Sequence, residues 1–136
     1  MRIVIDTNVL VSATLKEQST PAAAVRLVLA SHVLLTSAAT QHELHRILSK
    51  PYFQTTSKGK VIASLDAMFA DAEMIAITQA IMACRDPSDD QFLELAVNGK
   101  ADLIISGDND LLSMIIFRGI PIVTPAKFLT LPDRVD

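Results

Sequence analysis

The sequence predicts an α/β fold in which a central, mostly parallel, doubly wound sheet lies between two layers of helices. Short β-branched and aliphatic runs alternate with longer stretches of helical spacing, which is the pattern of strand–helix–strand units. Two of the runs are followed closely by an aspartate, the place where sheets of this kind hold ligands. With 136 residues, half of them hydrophobic, the chain can bury a core without disulfide or metal staples. No linker, repeat or low-complexity stretch divides residues 1–136, so one domain is expected.

The first run, Ile3, Val4 and Ile5, is apolar at successive positions, as in a central strand buried on both faces, and ends at Asp6, Thr7 and Asn8. The wider apolar opening, Met1 to Leu15, is read as buried strand. Asp6 and Asn8 interrupt it and no small-residue cleavage pattern follows, which argues against a secretory leader. Thr20 and Pro21 start a helix that runs to about Ser31, the hydroxyl capping and the proline filling the first turn. Val33, Leu34 and Leu35 form the second strand. Thr36 or Ser37 then caps a helix with Leu44, Ile47 and Leu48 on one face, ended by Lys50 and Pro51. After the polar stretch Gln54 to Lys60, the residues Val61, Ile62, Leu65, Met68, Phe69 and Ala72 fall on one helical stripe. That stripe suits the core and would equally serve a homodimer.

Met74 to Ile77 is a third, weaker strand. Ser88 and Gln91 stand in capping-box register at the start of a helix from about Asp89 to Asn98, with Gly99 at its end. Leu103, Ile104 and Ile105 make a further buried strand leading to Ser106, Gly107 and Asp108. Ile122 to Thr124 form the last one, after Gly119 and Pro121.

The net charge of −3 excludes a broadly basic surface, so contact with nucleic acid must be local or assisted by metal. Cys84, the single cysteine, has no intrachain partner and reads as a small buried hydrophobe in a reducing cytoplasm. No run reaches the ~18 apolar residues that span a bilayer, so no membrane association is expected.

Asp6 and Asp108 lie just beyond two core strands, and Glu43 and Asp89 stand near the starts of helices. Converging carboxylates suit hard cations such as Mg2+ or Mn2+. Asp89 is further expected to stay ionised at the positive end of its helix. Each residue also has a plainer reading: Asp6 and Asp108 as turn formers, Asp89 as a helix cap, Glu43 as the partner of Thr40 in a capping box. His42 and His45 bracket Glu43 three residues apart, where a helical zinc pair needs four. Arg46, Lys58 and Lys60 read as solvated helix charges.

Four segments in order carry a resemblance: Ile5 to Leu10 (IDTNVL), Glu43 on the helix after the second strand, Cys84 to Leu93 (CRDPSDDQFL) and Ala101 to Leu112 (ADLIISGDNDLL). Together they resemble PIN domains, and more narrowly the short prokaryotic toxins of VapC-like toxin–antitoxin pairs. The resemblance implies a three-layer PIN-like, Rossmann-like topology and a Mg2+- or Mn2+-dependent endoribonuclease. It implies an acidic site of Asp6, Glu43, Asp89 and Asp108, with metal on Asp6, Asp89 and Asp108, directly or through water, and Glu43 as ligand or water-orienting base. Asp110 is a further member, and Thr7, Asn8 and Ser106 are polar support. Asp86 and Asp90 stand beside the third motif, and Asp89 is preferred because it lies seven residues before the small Ala96. The implied partners are RNA, a cognate antitoxin and a second copy of the chain. Two rivals differ in chemistry: a non-catalytic module of the same fold that binds RNA or antitoxin, and a haloacid-dehalogenase-type phosphatase. The phosphatase would need a second aspartate where Asn8 stands.

Overall fold

The computed structural model describes residues 1–51 and 65–132. Strand β1 (Arg2–Ile5) is followed by helices α1 (Thr7–Leu15) and α2 (Thr20–Ser31), strand β2 (Val33–Thr36) and helix α3 (Ala38–Leu48). Beyond the helical residues 65–69 come β3 (Glu73–Met74), a 3-10 turn (Pro87–Asp89), α4 (Asp90–Asn98) and β4 (Leu103–Ile105). Helix α5 (Asn109–Met114), β5 (Ile116–Phe117), β6 (Ile120–Val123) and α6 (Pro125–Thr130) complete the order. The six strands form a sheet of order β3-β2-β1-β4-β6-β5, parallel except for β5.

Alternation along the strands sorts their side chains between two cores. Ile3, Ile5, Leu34, Leu103 and Ile105 face one side, under Val9 and Leu10 of α1, Val25 and Val28 of α2, Leu44 of α3 and Phe128 of α6. Val4, Leu35, Ile104 and Ile122 face the other, under Phe92, Leu93, Leu95 and Ala96 of α4 and Leu111 of α5. The result is the three-layer sandwich that the alternation predicts. Among the described residues no helix is long and apolar enough to cross a membrane.

Strand β1 pairs with β2 on one edge and β4 on the other, in register Ile3 with Leu103 and Ile5 with Ile105. The chain therefore leaves β1 in both directions across the sheet, and a crevice opens beyond the carboxyl ends of β1 and β4. At the opposite end Arg2 acts as a clamp. Its guanidinium meets both carboxylate oxygens of Glu73 at 3.0 and 2.7 Å, and its Nε donates to Gly99 O at 2.9 Å. Its backbone N–H donates to Asp102.

Several expectations shift. The opening is strand only as far as Ile5; from Thr7 it is helix, because the Asp6 side chain caps it by accepting from Asn8 N at 3.1 Å. Helix α1 hides this in sequence by burying Thr7, Val9, Leu10, Val11 and Ala13, which leaves little polar face to mark a helical period. Ser19 rather than Thr20 caps α2, accepting from Ala22 N. Ser37 caps α3 in a capping box closed by Thr40, so Glu43 takes no part in one. Helix α3 ends at Leu48, short of Lys50. The expected Ser88 cap is instead Asp86, whose Oδ1 accepts from Ser88 N because a 3-10 turn precedes α4. The third strand is only Glu73–Met74 at the sheet edge, and Thr124 leaves β6 to cap α6. Helices α5 and α6 and strand β5 are additions to the expected order. The β5–β6 hairpin turns on Arg118 and Gly119, both at positive φ (49° and 82°), the geometry of a tight two-residue turn. Leu65 is buried and Met68, Phe69 and Ala72 pack against the first core, as the stripe predicts. The stretch Gln54 to Lys60, Val61 and Ile62 lie outside the described residues.

Gly99 ends α4 against the side chain of Leu35 on β2. A Cβ there would lie 2.9 Å from Leu35 Cδ1 and from Leu95 O. Gly99→Ala should therefore destabilise the fold by about 1–3 kcal/mol, read as a lower urea midpoint with unchanged slope.

Candidate metal centre

The parallel pairing of β1 with β4 fixes the centre. Asp6 N donates to Ile105 O at 2.9 Å, so the first residues after both strands stay side by side. Ser106, fully buried, donates from Oγ to Asp6 Oδ2 at 2.7 Å and accepts from Asp108 N at 3.0 Å. One hydroxyl thus sets the spacing of two acidic positions contributed by different strands. Thr7 and Asn8 follow at the start of α1, the former buried and the latter exposed.

Asp108 caps α5 through Oδ2, which accepts from Leu111 N at 3.1 Å. Asp6 and Asp108 thus each cap the helix that follows their strand, and Asp108 also borders the crevice. Asp89 differs. It stands at the N-cap position of α4 but makes no capping hydrogen bond, so its carboxylate is not committed to the backbone. Side-chain oxygens of Asp89, Asp108 and Asp110 lie within 4.8 Å of one another, with Asp110 in the first turn of α5. Asp6 stands outside this close group but near enough to raise the Asp89 pKa. Asp110, named from the sequence only as a further member, completes the trio. Its signal was its place two residues beyond Asp108 on the same loop-to-helix turn.

Glu43, on α3, carries a buried Oε2 with no hydrogen-bond partner among the described residues. Burial raises its pKa, Asp6 and Asp86 add to the rise, and Arg46 opposes it. Burial likewise raises Asp6, against the hydrogen bonds from Ser106 and Asn8. An unpartnered carboxylate oxygen beside other acids fits a site that takes up cationic charge. All-oxygen donors fit a hard cation such as Mg2+ or Mn2+, whereas His42 and His45 are exposed and outside the group.

The adjacent acids Asp89 and Asp90 have separate functions. Asp90 is buried, and its Oδ1 accepts from the N–H groups of Ala83 and Cys84 at 3.0 and 2.8 Å. Burial pushes its pKa up, but those bonds and Cys84 together bring it below the usual value. It fastens the loop that carries Asp86 and Asp89. Cys84, half-buried beside it, has its thiol pushed up to about 12 by burial and by Asp90, which fits an inert side chain. Arg85 is the cation at the rim, its Nη1 4.0 Å from Asp110 Oδ1 and largely exposed.

The PIN domain family model matches residues 2–110, from β1 through the whole acidic group. The chain belongs to the PIN domain family. Among its relatives, the uncharacterized protein MJ1680 of Methanocaldococcus jannaschii is 27% identical over 117 residues, covering 84% of this chain and 75% of that protein. VapBC2 from Rickettsia felis, whose crystal structure holds a DNA fragment from its promoter, matches with a TM-score of 0.63 and 14% identity. That match covers 90% of this PIN domain and 97% of the solved chain, and it supports the fold described above.

The electrostatics of this PIN domain correct one expectation. The pKa of Asp89 is not held low by its helix: burial, then Asp108, Asp86, Asp6 and Glu43, lift it from 3.8 to about 6. Burial and four neighbouring carboxylates outweigh the helix dipole. Between 3.8 and about 6 the folded metal-free protein holds a proton that the unfolded chain has released. Stability therefore falls as pH rises through that window, and the loss is complete above it. Asp89→Asn removes the repulsion, so melts in EDTA should show the variant gaining on wild type as pH rises from 3.8 to about 6 and holding that gain above. A variant that melts below wild type at neutral pH would contradict this.

Proposed function

We propose that this PIN domain is a Mg2+- or Mn2+-dependent endoribonuclease of the cytoplasm, the toxin component of a toxin–antitoxin pair, acting as the single domain of residues 1–136. The carrying observation is the gathering of Asp89, Asp108 and Asp110 oxygens within 4.8 Å beside the unpartnered Glu43 Oε2. Asp89, Asp108 and Asp110 would hold the cation, with Asp6 behind them as a ligand through water, fixed by Ser106. When bound, a hard cation makes water acidic near neutral pH and draws charge from a phosphoryl oxygen. Glu43, its pKa raised by burial, orients the attacking water and accepts its proton at Oε2. Asp108 and Asp110 also border the adjoining cleft, which gives the polymer a way in. Arg85 supplies positive charge to the strand on the far side of Asp110.

The partners belong to the same proposal. VapBC2 supports an antitoxin as one of them. A second copy of the chain is the other, and exposed Ile115 and Ile116, at the start of the edge strand β5, offer apolar surface to a protein. The phosphatase rival is disfavoured by Asp6, which is only 3% exposed with both carboxylate oxygens accepting hydrogen bonds. A nucleophile must be free to attack.

Cleavage of single-stranded RNA should appear with Mg2+ or Mn2+, vanish in EDTA and fail to return with zinc alone. Asp89→Asn and Asp110→Asn should each lower kcat/KM by at least about 100-fold, since loss of supporting residues around a metal already costs about 10–100-fold. Asp90→Asn should keep most activity, because the amide oxygen can still accept from Ala83 and Cys84. Full activity in EDTA after verified metal removal would refute the mechanism, and a well-folded protein that binds RNA without cutting it would favour the non-catalytic module.

A further inference from the structure

Beside the acidic group lies a cleft of about 540 Å³, within the ~300–1,000 Å³ of ordinary ligand sites. Its polar lining is Asn8, Ser12 and Asn109, and its apolar lining is Val9, Pro21 and Pro125, with Asp108 and Asp110 on the side of the metal centre. Among the described residues no lysine or arginine lines it, and Arg85 reaches only Asp110, at 4.0 Å, from outside the lining, so a phosphate placed here would meet the Asp108 carboxylate with no cation in the cleft. A neutral group with donors and acceptors along its edge fits better. The side-chain amides of Asn8 and Asn109 make no hydrogen bond to any described residue, and each offers both a donor and an acceptor. That pairing matches the edges of an unstacked base, as in the two-point contact of asparagine with adenine.

Gly107 lines the same cleft and keeps it open. A Cβ built on it meets nothing within 4 Å, and its backbone lies outside the left-handed region, so a side chain here would project without strain. The glycine is not required by the local fold. Its lack of a side chain leaves room.

We propose that this cleft receives one nucleobase of the substrate strand, next to the phosphate at the acidic group, with Asn8 and Asn109 reading its edge. The proposal rests on the nuclease reading for the polymer, but base binding in the cleft is independent of catalysis. The test uses uncharged nucleosides, which carry no phosphate and need no metal. Adenosine, guanosine, cytidine and uridine are titrated separately into the metal-free full chain and followed by NMR, with ribose as control. At least one nucleoside should shift the side-chain amide signals of Asn8 and Asn109 saturably, and ribose should not. Gly107→Leu should abolish the shifts with the rest of the spectrum retained, and Asn109→Ala should weaken binding by about tenfold, the equivalent of one good hydrogen bond. In a second arm with Mn2+, an abasic substitution beside the cleavage site should lower cleavage by wild type and leave that by Gly107→Leu unchanged. No shift with any nucleoside, equal shifts with ribose, or undiminished shifts in Gly107→Leu would overturn the proposal. Saturable nucleoside shifts without RNA cleavage would leave the base site standing and remove the nuclease reading instead.

Discussion

The Ser106 hydroxyl, donating to Asp6 at 2.7 Å and accepting from Asp108 N at 3.0 Å, is the contact on which the site depends. It works because β1 and β4 pair in parallel register, so that Asp6 and Ser106 emerge together at the switch point of the sheet. Both flanking strands are buried on both faces, and the two cores on either side hold them at that separation. Asp6 and Asp108 are therefore held close despite their repulsion. Packing free energy from Ile3, Ile5, Ile104 and Ile105 is set against electrostatic strain at the carboxyl ends of the same strands.

That strain is distributed unevenly. Asp6 and Asp108 are partly relieved by capping α1 and α5, whereas Asp89 has no such bond and Glu43 has an orphaned oxygen. The residues left least satisfied by the protein are those with most to gain from a cation. Asp90, one position from Asp89, shows the opposite arrangement: its buried carboxylate accepts at Oδ1 from two N–H groups of the 83–84 loop. Adjacent aspartates of the same sequence motif thus separate into anchor and candidate ligand where the 3-10 turn passes into α4.

The sheet was legible in the sequence because its central strands are β-branched runs with sharp ends, and the three layers follow from their alternation with helices. Helix α1 was not legible, since burial on most of its surface erases the amphipathic period and Val9 and Val11 favour a strand reading locally. The short β5–β6 hairpin was missed because Arg118 supplies a positive φ that only glycine or asparagine would have signalled. At the site, motif order placed Asp89 and Asp108 together, but spacing could not distinguish a close trio with Asp110 from one with Asp6. That choice depends on which carboxylates the caps and Ser106 hold back, a matter of three-dimensional hydrogen bonding.

The position of a bound ion tests the metal centre. A crystal of the metal-free protein soaked with Mn2+ should show an anomalous difference peak among the carboxylates of Asp89, Asp108 and Asp110, and the peak should be lost in Asp110→Asn. No peak at that position, or one that persists unchanged in the variant, would contradict the assignment of these acids to a metal centre.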